Sequence, residues 1–235
     1  MSPVIAQYLI FLNIYFEKTS SYIFIMKKVN LNIASGPYVE ENFINYDNNI
    51  FFLLSKLPKF LYFIFGNEKK EKILSFSELR GKGIIKFHNC TKKIKRQNNS
   101  VDHILCSHFL EHLYGDEFDF VIKDFKRLLK KGATLHIILP DLNEYIEKYL
   151  KDKDSDKFIS GLLISKSTSP SFTYKLLELI GYTGLQHRWM FNKNSIEEKL
   201  INYGFSLITD VNVINNLPSS HVRLNDGSIH VFAQK

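Results

Sequence analysis

His108, Glu111 and His112 fall within five residues, His108-Phe109-Leu110-Glu111-His112, the densest group in the chain able to do chemistry. On a helix, histidines at i and i+4 share one face and can hold zinc, with the glutamate as general base. That chemistry needs the string inside a long helix, with a further carboxylate ligand elsewhere. Here it follows directly on VDHILCS (101–107), a run that reads as a buried strand, so no metal is expected. Proton transfer is the other use of a histidine, because its ordinary pKa lies near neutrality. His108, at the strand's end, and His187, in QHRWMF (186–191), are the candidates for that role.

A second group lies in VNLNIASGP (29–37). Val29, Leu31 and Ile33 alternate as in a strand, and Ala34, Ser35, Gly36 and Pro37 close it with a tight turn. Small side chains there let a ligand approach the backbone. In open parallel α/β sheets, ligands bind at the carboxyl ends of the strands. NFINYD (42–47) reads as a short second strand ending on the Asp47 carboxylate. No long helix fits between Pro37 and Asn42, although parallel neighbours usually need a crossover of a dozen residues.

The elements that must position these groups follow from pattern. GIIKFHN (83–89), VDHILCS and TLHIILP (134–140) read as the third to fifth strands, and FSLITDVNV (205–213) and SIHVFAQK (228–235) as closing strands. Residues 50–65 read as two short buried helices kinked at Pro58, or as an apolar flap facing a membrane. A helix over 116–130 carries Phe118, Val121, Ile122, Phe125, Leu128 and Leu129 on one face and stops at Lys130-Lys131-Gly132. Asp141 is the expected N-cap of the next helix. A late helix begins at Asn194 or Ser195, with Glu197 and Glu198 in capping-box spacing, and ends at Gly204. Strands alternating with helices predict an α/β sheet.

With 45% hydrophobic and 23% charged residues, the composition is that of an ordinary globular domain. The formal net charge of +7 would suit an acidic partner, but the lysines are spread along the chain, which argues against nucleic acid. Thr91 to Arg96 is a basic cluster, and it reads as a solvated loop or as a phosphate-contacting patch. Cys90 and Cys106 form no CxxC pair, which fits a reducing, cytoplasmic setting without disulfides. Residues 1–25 are apolar, yet too short a run to span a bilayer. They read as an extension ahead of a start at Met26, or as an interfacial helix giving peripheral membrane contact.

Four stretches, LNIASGP, NFINYD, SVDHILCSHFLEHL (100–113) and FKRLLKKGATLHIILPDLNEYIEKYL (125–150), together resemble the class I S-adenosylmethionine-dependent methyltransferases, in the bacterial branch called methyltransferase type 11. The late QHRWMF and NSIEEKLINYGF segments are similar to that family too. The resemblance covers residues 27–235 and is most specific over 100–150. It implies a Rossmann-like methyltransferase sheet, mostly parallel with an antiparallel C-terminal strand and helices on both faces. The methyltransferase domain would be residues 26–235, with insertions at about 50–80 and 151–186.

The resemblance also implies S-adenosyl-L-methionine as cofactor, with Asn32, Ala34, Ser35 and Gly36 near its methionyl and ribose portion. Asp47 would bind the ribose hydroxyls, Asn89 the adenine amino group, and Ser107 and His108 would border the reactive methyl. The acceptor would be a small molecule or a glycan, with His108 or His187 taking its proton. A nucleic-acid acceptor and a non-catalytic cofactor-binding relative are the alternatives. The second arises because Ala34 stands where the family has glycine, Asn32 where it often has an acid, and Asn89 where it has aspartate. Alanine at that position is strained if its φ is positive.

Overall fold

The computed structural model describes residues 28–164, 186–222 and 227–235. The expected extension at 1–25, the start at Met26 and most of the 151–186 insertion lie outside them. Seven strands form one sheet in the order β3-β2-β1-β4-β5-β7-β6. They are β1 (Asn30–Ile33), β2 (Phe43–Asp47), β3 (Ile85–Phe87), β4 (Val101–Ser107), β5 (Leu129–Pro140), β6 (Ser206–Leu207) and β7 (Ser228–Gln234). The pairs from β3 to β5 are parallel, and β7 runs antiparallel to both β5 and β6. This is the mostly parallel sheet with an antiparallel C-terminal strand that the sequence led us to expect.

The connection from β1 to β2 holds no helix. Parallel pairing of Asn30 with Phe43 is reached by residues 34–42 as a looped strap, tied where Ser35 N donates to the Tyr46 carbonyl at 3.0 Å and Tyr38 N to the Ser35 carbonyl at 3.0 Å. Between β2 and β3 come α1 (Ile50–Leu54), a 3₁₀ turn at Lys59–Ile64 and α2 (Asn67–Gly81). Pro58 sits at the N-terminus of the 3₁₀ turn, where its missing N–H costs nothing. Tyr62 is buried there, whereas Phe60, Phe63 and Ile64 face outward, 71%, 75% and 61% exposed. Residues 50–65 are therefore only half the buried pair that the sequence suggests.

α3 (Gly115–Leu128) is the main helix on one face. Its N-terminus is closed by Glu117, whose carboxylate accepts from Tyr114 N at 3.1 Å. Phe118, Val121, Ile122, Phe125 and Leu128 are buried against Leu31, Ile33, Ile104, Leu135 and Ile137 in one continuous core. Each such side chain contributes about 1.5–3 kcal/mol. The helix stops earlier than expected. Leu129 pairs with Val101 across a register shift, and Lys130 Nζ reaches both oxygens of Asp102 at 2.7 and 2.8 Å. The Lys-Lys-Gly turn thus lies within β5, with Gly132 at φ +78°.

α4 (Leu142–Asp152) starts at Asp141 as expected, its carboxylate accepting from Asn143 N. α5 spans Ser155–Gly161, α6 Lys193–Asn202 and α7 Val211–Asn215. Asn192, not Ser195, caps α6. Its amide oxygen accepts from Ser195 N at 2.9 Å. The strand expected over 205–213 shrinks to β6, because the Asp210 carboxylate accepts from Asn212 N and opens α7 instead.

The opposite sheet face is unusually polar. His103 and His136 are buried there, and both bond the buried Ser219 hydroxyl at 2.8 Å. His136 Nε2 also meets His230 Nδ1 at 3.0 Å. Burial pushes His103 down to about 4 and His136 down to about 2, the latter helped by His230 and His103 nearby. Both rings are neutral near pH 7 and serve to pin the 216–222 segment to the sheet.

Candidate functional site

The carboxyl ends of β3, β2, β1 and β4 stand side by side. Strand order alone therefore lines up Asn89, Asp47, Ala34–Gly36 and Ser107–His108 along one rim of the sheet. Ile33 is level with Tyr46 on one side and Cys106 on the other, so the turn after β1 lies between Asp47 and Ser107.

Ala34 leaves β1 at φ +54° and His108 leaves β4 at φ +50°. Residues with a Cβ pay roughly 1–2 kcal/mol for this left-handed conformation, and such strain gathers at functional sites. Here two strained residues end adjacent strands on the rim where ligands bind. Gly36 follows at φ +56°, and a side chain there would meet no atom within 4 Å.

Asp47 is 6% exposed. One carboxylate oxygen accepts from Gly36 N at 2.7 Å and the other from Asn49 N at 2.6 Å. Burial raises its pKa more than these two bonds lower it. The residue ties the β1 turn to the end of β2, and each oxygen keeps one lone pair for a further donor. Asn32 is buried and points elsewhere. Its amide donates to the Tyr38 carbonyl at 3.1 Å and to Asn45 Oδ1 at 2.9 Å, which fixes the path of the 34–42 strap from beneath. Ser35, also buried, donates its hydroxyl to the Gly36 carbonyl at 3.2 Å.

Asn89 closes a turn after β3. Its amide oxygen accepts from Thr91 N at 3.0 Å and Thr91 Oγ1 at 2.9 Å, so both lone pairs of that oxygen are engaged. Beyond it, the basic segment is anchored by its buried residue. Ile94 N donates to Asp124 at 3.0 Å, and Arg127 donates to the carbonyls of Ile94 and Arg96. Lys92, Lys93 and Lys95 are left exposed.

The His-Phe-Leu-Glu-His string is not helical throughout. His108 is a strained turn residue, and only Leu110–His112 make a 3₁₀ turn. The two histidines of the string do not share a helix face. His108 is 46% exposed in its side chain and sits 3.5 Å from the buried Glu111 carboxylate. His187 lies behind it, 7% exposed, its ring 5.0 Å from that of His112. It is held there by His187 N donating to the Leu163 carbonyl at 3.0 Å, and by Arg188 N and Trp189 N donating to the Glu111 carbonyl at 2.8 and 3.1 Å. Burial pushes its pKa down, against the pull of Glu111. The structure thus brings His187 to the same turn as His108, a neighbourhood with no signature in sequence spacing.

Both thiols are buried. Desolvation pushes Cys90 up to about 12 and Cys106 further above the ordinary thiol range, so neither is a nucleophile.

Residues 53–137 match a family model described as a methyltransferase domain. The match runs from α1 through β5 and includes the β4 rim. Over that stretch the chain is similar to methyltransferase domains.

Solved structures similar to the chain include a protein from Pyrococcus horikoshii OT3, with 13% identity, a TM-score of 0.48 and coverage of 97% of this chain and 90% of that one. A SAM-dependent methyltransferase from Archaeoglobus fulgidus has 14% identity, a TM-score of 0.46 and coverage of 95% and 94%. Another from Methanosarcina mazei has 14% identity, a TM-score of 0.48 and coverage of 100% and 98%. No curated protein sequence matches the chain.

Proposed function

We propose that this methyltransferase moves the methyl group of S-adenosylmethionine to a hydroxyl or amine of a small molecule or glycan. The observation that carries the reading is the rim itself, with Asn89, Asp47, Ala34–Gly36 and Ser107–His108 in succession across four parallel strand ends. A flat adenine, two ribose hydroxyls, a methionyl chain and a sulfonium methyl succeed one another in the cofactor in the same way. The Asp47 carboxylate, with a lone pair left on each oxygen, suits the ribose hydroxyls. The small residues Ala34, Ser35 and Gly36 leave room for the methionyl portion. At Asn89 the engaged oxygen points to the turn backbone, not the amide group, as the adenine neighbour.

In the transfer, the acceptor's lone pair attacks the methyl carbon and the carbon–sulfur bond breaks. The sulfur keeps the bonding pair, and neutral S-adenosylhomocysteine leaves. The acceptor's proton must go to a base, and we assign that base to His108, the exposed histidine at the end of β4. His187, the other sequence candidate, is buried beneath the turn and out of an acceptor's reach. Most of the rate in such a reaction comes from alignment of the two partners.

The cytoplasmic setting and the small acceptor rest on cysteine usage and on the spread of lysines. Among the described residues no helix is long and apolar enough to cross a membrane. A non-catalytic reading draws on Ala34 at φ +54°, at a position that the family resemblance would fill with glycine. The two readings part on methyl transfer from labelled cofactor, which a non-catalytic relative lacks altogether, and His108→Gln tests the base. Under the catalytic reading this variant keeps its affinity for S-adenosylhomocysteine and loses most methyl transfer from labelled cofactor. Unchanged turnover would remove His108 as the base.

A further inference from the structure

Glu111 is fully buried at the 3₁₀ turn after β4, and among the described residues neither of its carboxylate oxygens has a hydrogen-bond partner. Burying a carboxylate without compensation costs several kcal/mol, so something must face it. Two imidazoles beside it stop short of hydrogen-bond contact. His112 Nε2 stands 3.9 Å from Glu111 Oε1 and His108 Nδ1 3.5 Å, both beyond good hydrogen-bond distance.

The protonation of His112 follows from its other nitrogen. Nδ1 lies 3.0 Å from the Gln186 carbonyl oxygen. That oxygen can only accept, so Nδ1 carries a proton and Nε2 is the ring nitrogen that faces the carboxylate. In a neutral ring that nitrogen offers a lone pair, and a cation between it and the carboxylate would join the two. The same pattern, a histidine fixed by N–H···O=C on its far side, is how proteins orient metal-binding imidazoles. His187 supplies a third donor. Its Nδ1 is buried and has no hydrogen-bond partner among the described residues, and its ring is edge-on to that of His112. One ligand atom from each of Glu111, His112 and His187 can be chosen so that all lie within 4.8 Å of one another.

We infer that Glu111, His112 and His187 together bind a divalent transition-metal ion of the zinc class. Two imidazoles and a carboxylate are a borderline donor set suited to such ions. In a tetrahedral site with bonds near 2.0–2.1 Å, ligand atoms lie roughly 3.4 Å apart, so modest side-chain adjustment closes the triangle. Three protein ligands leave a fourth position, for water or for His108 beside Glu111. The ion would clamp the 186–191 segment onto the β4 turn, reinforcing the two backbone bonds that Glu111 accepts from Arg188 and Trp189. This is not the five-residue zinc string of the sequence. His108 is not one of the three, and the second histidine comes from the far end of the chain. The inference does not depend on the methyl-transfer reading.

The test uses the full chain, stripped by chelator and dialysed, then titrated with zinc and with cobalt(II). The expected result is one ion per chain, a raised thermal midpoint, and intense visible cobalt bands typical of tetrahedral coordination. Glu111→Gln and His187→Ala should each weaken zinc binding by at least about 100-fold. Binding in Glu40→Gln, which alters the remote His221–Glu40 pair, should stay unchanged. Absence of stoichiometric zinc, weak octahedral-type cobalt bands, or wild-type affinity in Glu111→Gln would overturn the assignment. If a variant fails to fold, the wild-type stoichiometry and cobalt spectrum still decide.

Discussion

Replacing Asp47 by alanine separates the turn after β1 from the end of β2, and its consequences can be estimated from the bonds it breaks. The carboxylate accepts from Gly36 N at 2.7 Å and from Asn49 N at 2.6 Å. Hydrogen bonds to a charged group contribute about 1.5–3 kcal/mol each, so the two together suggest a loss of roughly 3–6 kcal/mol. That sum is too large. The pKa of Asp47 is raised because burial outweighs those bonds, so deleting the carboxylate also removes an unfavourable desolvation. Gly36 is half-buried, and its N–H regains water once the tie is gone. A net destabilisation of about 1–3 kcal/mol remains, measurable by urea unfolding.

The effect on the cofactor should exceed the effect on the fold. The variant loses both the ribose acceptor and the anchor of the turn, and affinity for S-adenosylhomocysteine should fall by about 100-fold, or roughly 2.7 kcal/mol. The pH dependence has a definite sign. A raised carboxyl pKa means that the acceptor is protonated, and binding weakens, at a higher pH than for an ordinary aspartate. Asp47→Ala should lack this acid limb. A folded Asp47→Ala protein with wild-type affinity would refute the role given to Asp47.

Ala34→Gly relieves about 1–2 kcal/mol of left-handed strain but gives up about 0.5–1 kcal/mol to chain entropy and the packing of one methyl. Its stability should stay within about 1 kcal/mol of wild type, while Ala34→Val, β-branched at φ +54°, should lose more than about 2 kcal/mol. Paired urea titrations check both. His103 and His136 have pKa values lowered to about 4 and about 2, so the folded chain binds fewer protons than the unfolded one below the ordinary histidine pKa. Their contribution is complete above about pH 7 and is lost as the pH falls, by about 2 kcal/mol per histidine between pH 7 and 5. Imidazole NMR signals should show two histidines that do not titrate down to pH 5. Titration of either His103 or His136 near pH 6.5 would contradict this.

Much of the frame is legible in the residues because apolar side chains gather on one face. Leu31 and Ile33 alternate with asparagines in β1, which are buried as well, and α3 has five buried apolar residues on one stripe. Other elements are decided by contacts that sequence does not carry. α2 buries only Ile73 and Phe76 among lysines and glutamates, so its period is faint and it disappears into an apparent insertion. The end of α3 is set by Leu129 joining the sheet beside Val101, not by the Lys-Lys-Gly stop. Asp210 turns an apparent strand into a capped helix.

At the site, the order of Asp47, Gly36 and Ser107 follows from strand order and was legible. The twofold engagement of the Asn89 oxygen was not, nor was the meeting of His187 with Glu111 and His112. That meeting depends on a segment returning from the far end of the chain, which no spacing rule encodes.

The central claim is that the rim from Asn89 to His108 holds S-adenosylmethionine. Calorimetric titration of the full chain with S-adenosylhomocysteine tests it most directly. Saturable binding at one site per chain is expected, competed by S-adenosylmethionine and not by adenosine monophosphate. No detectable heat at millimolar ligand, where even affinities of about −4 kcal/mol register, would contradict it.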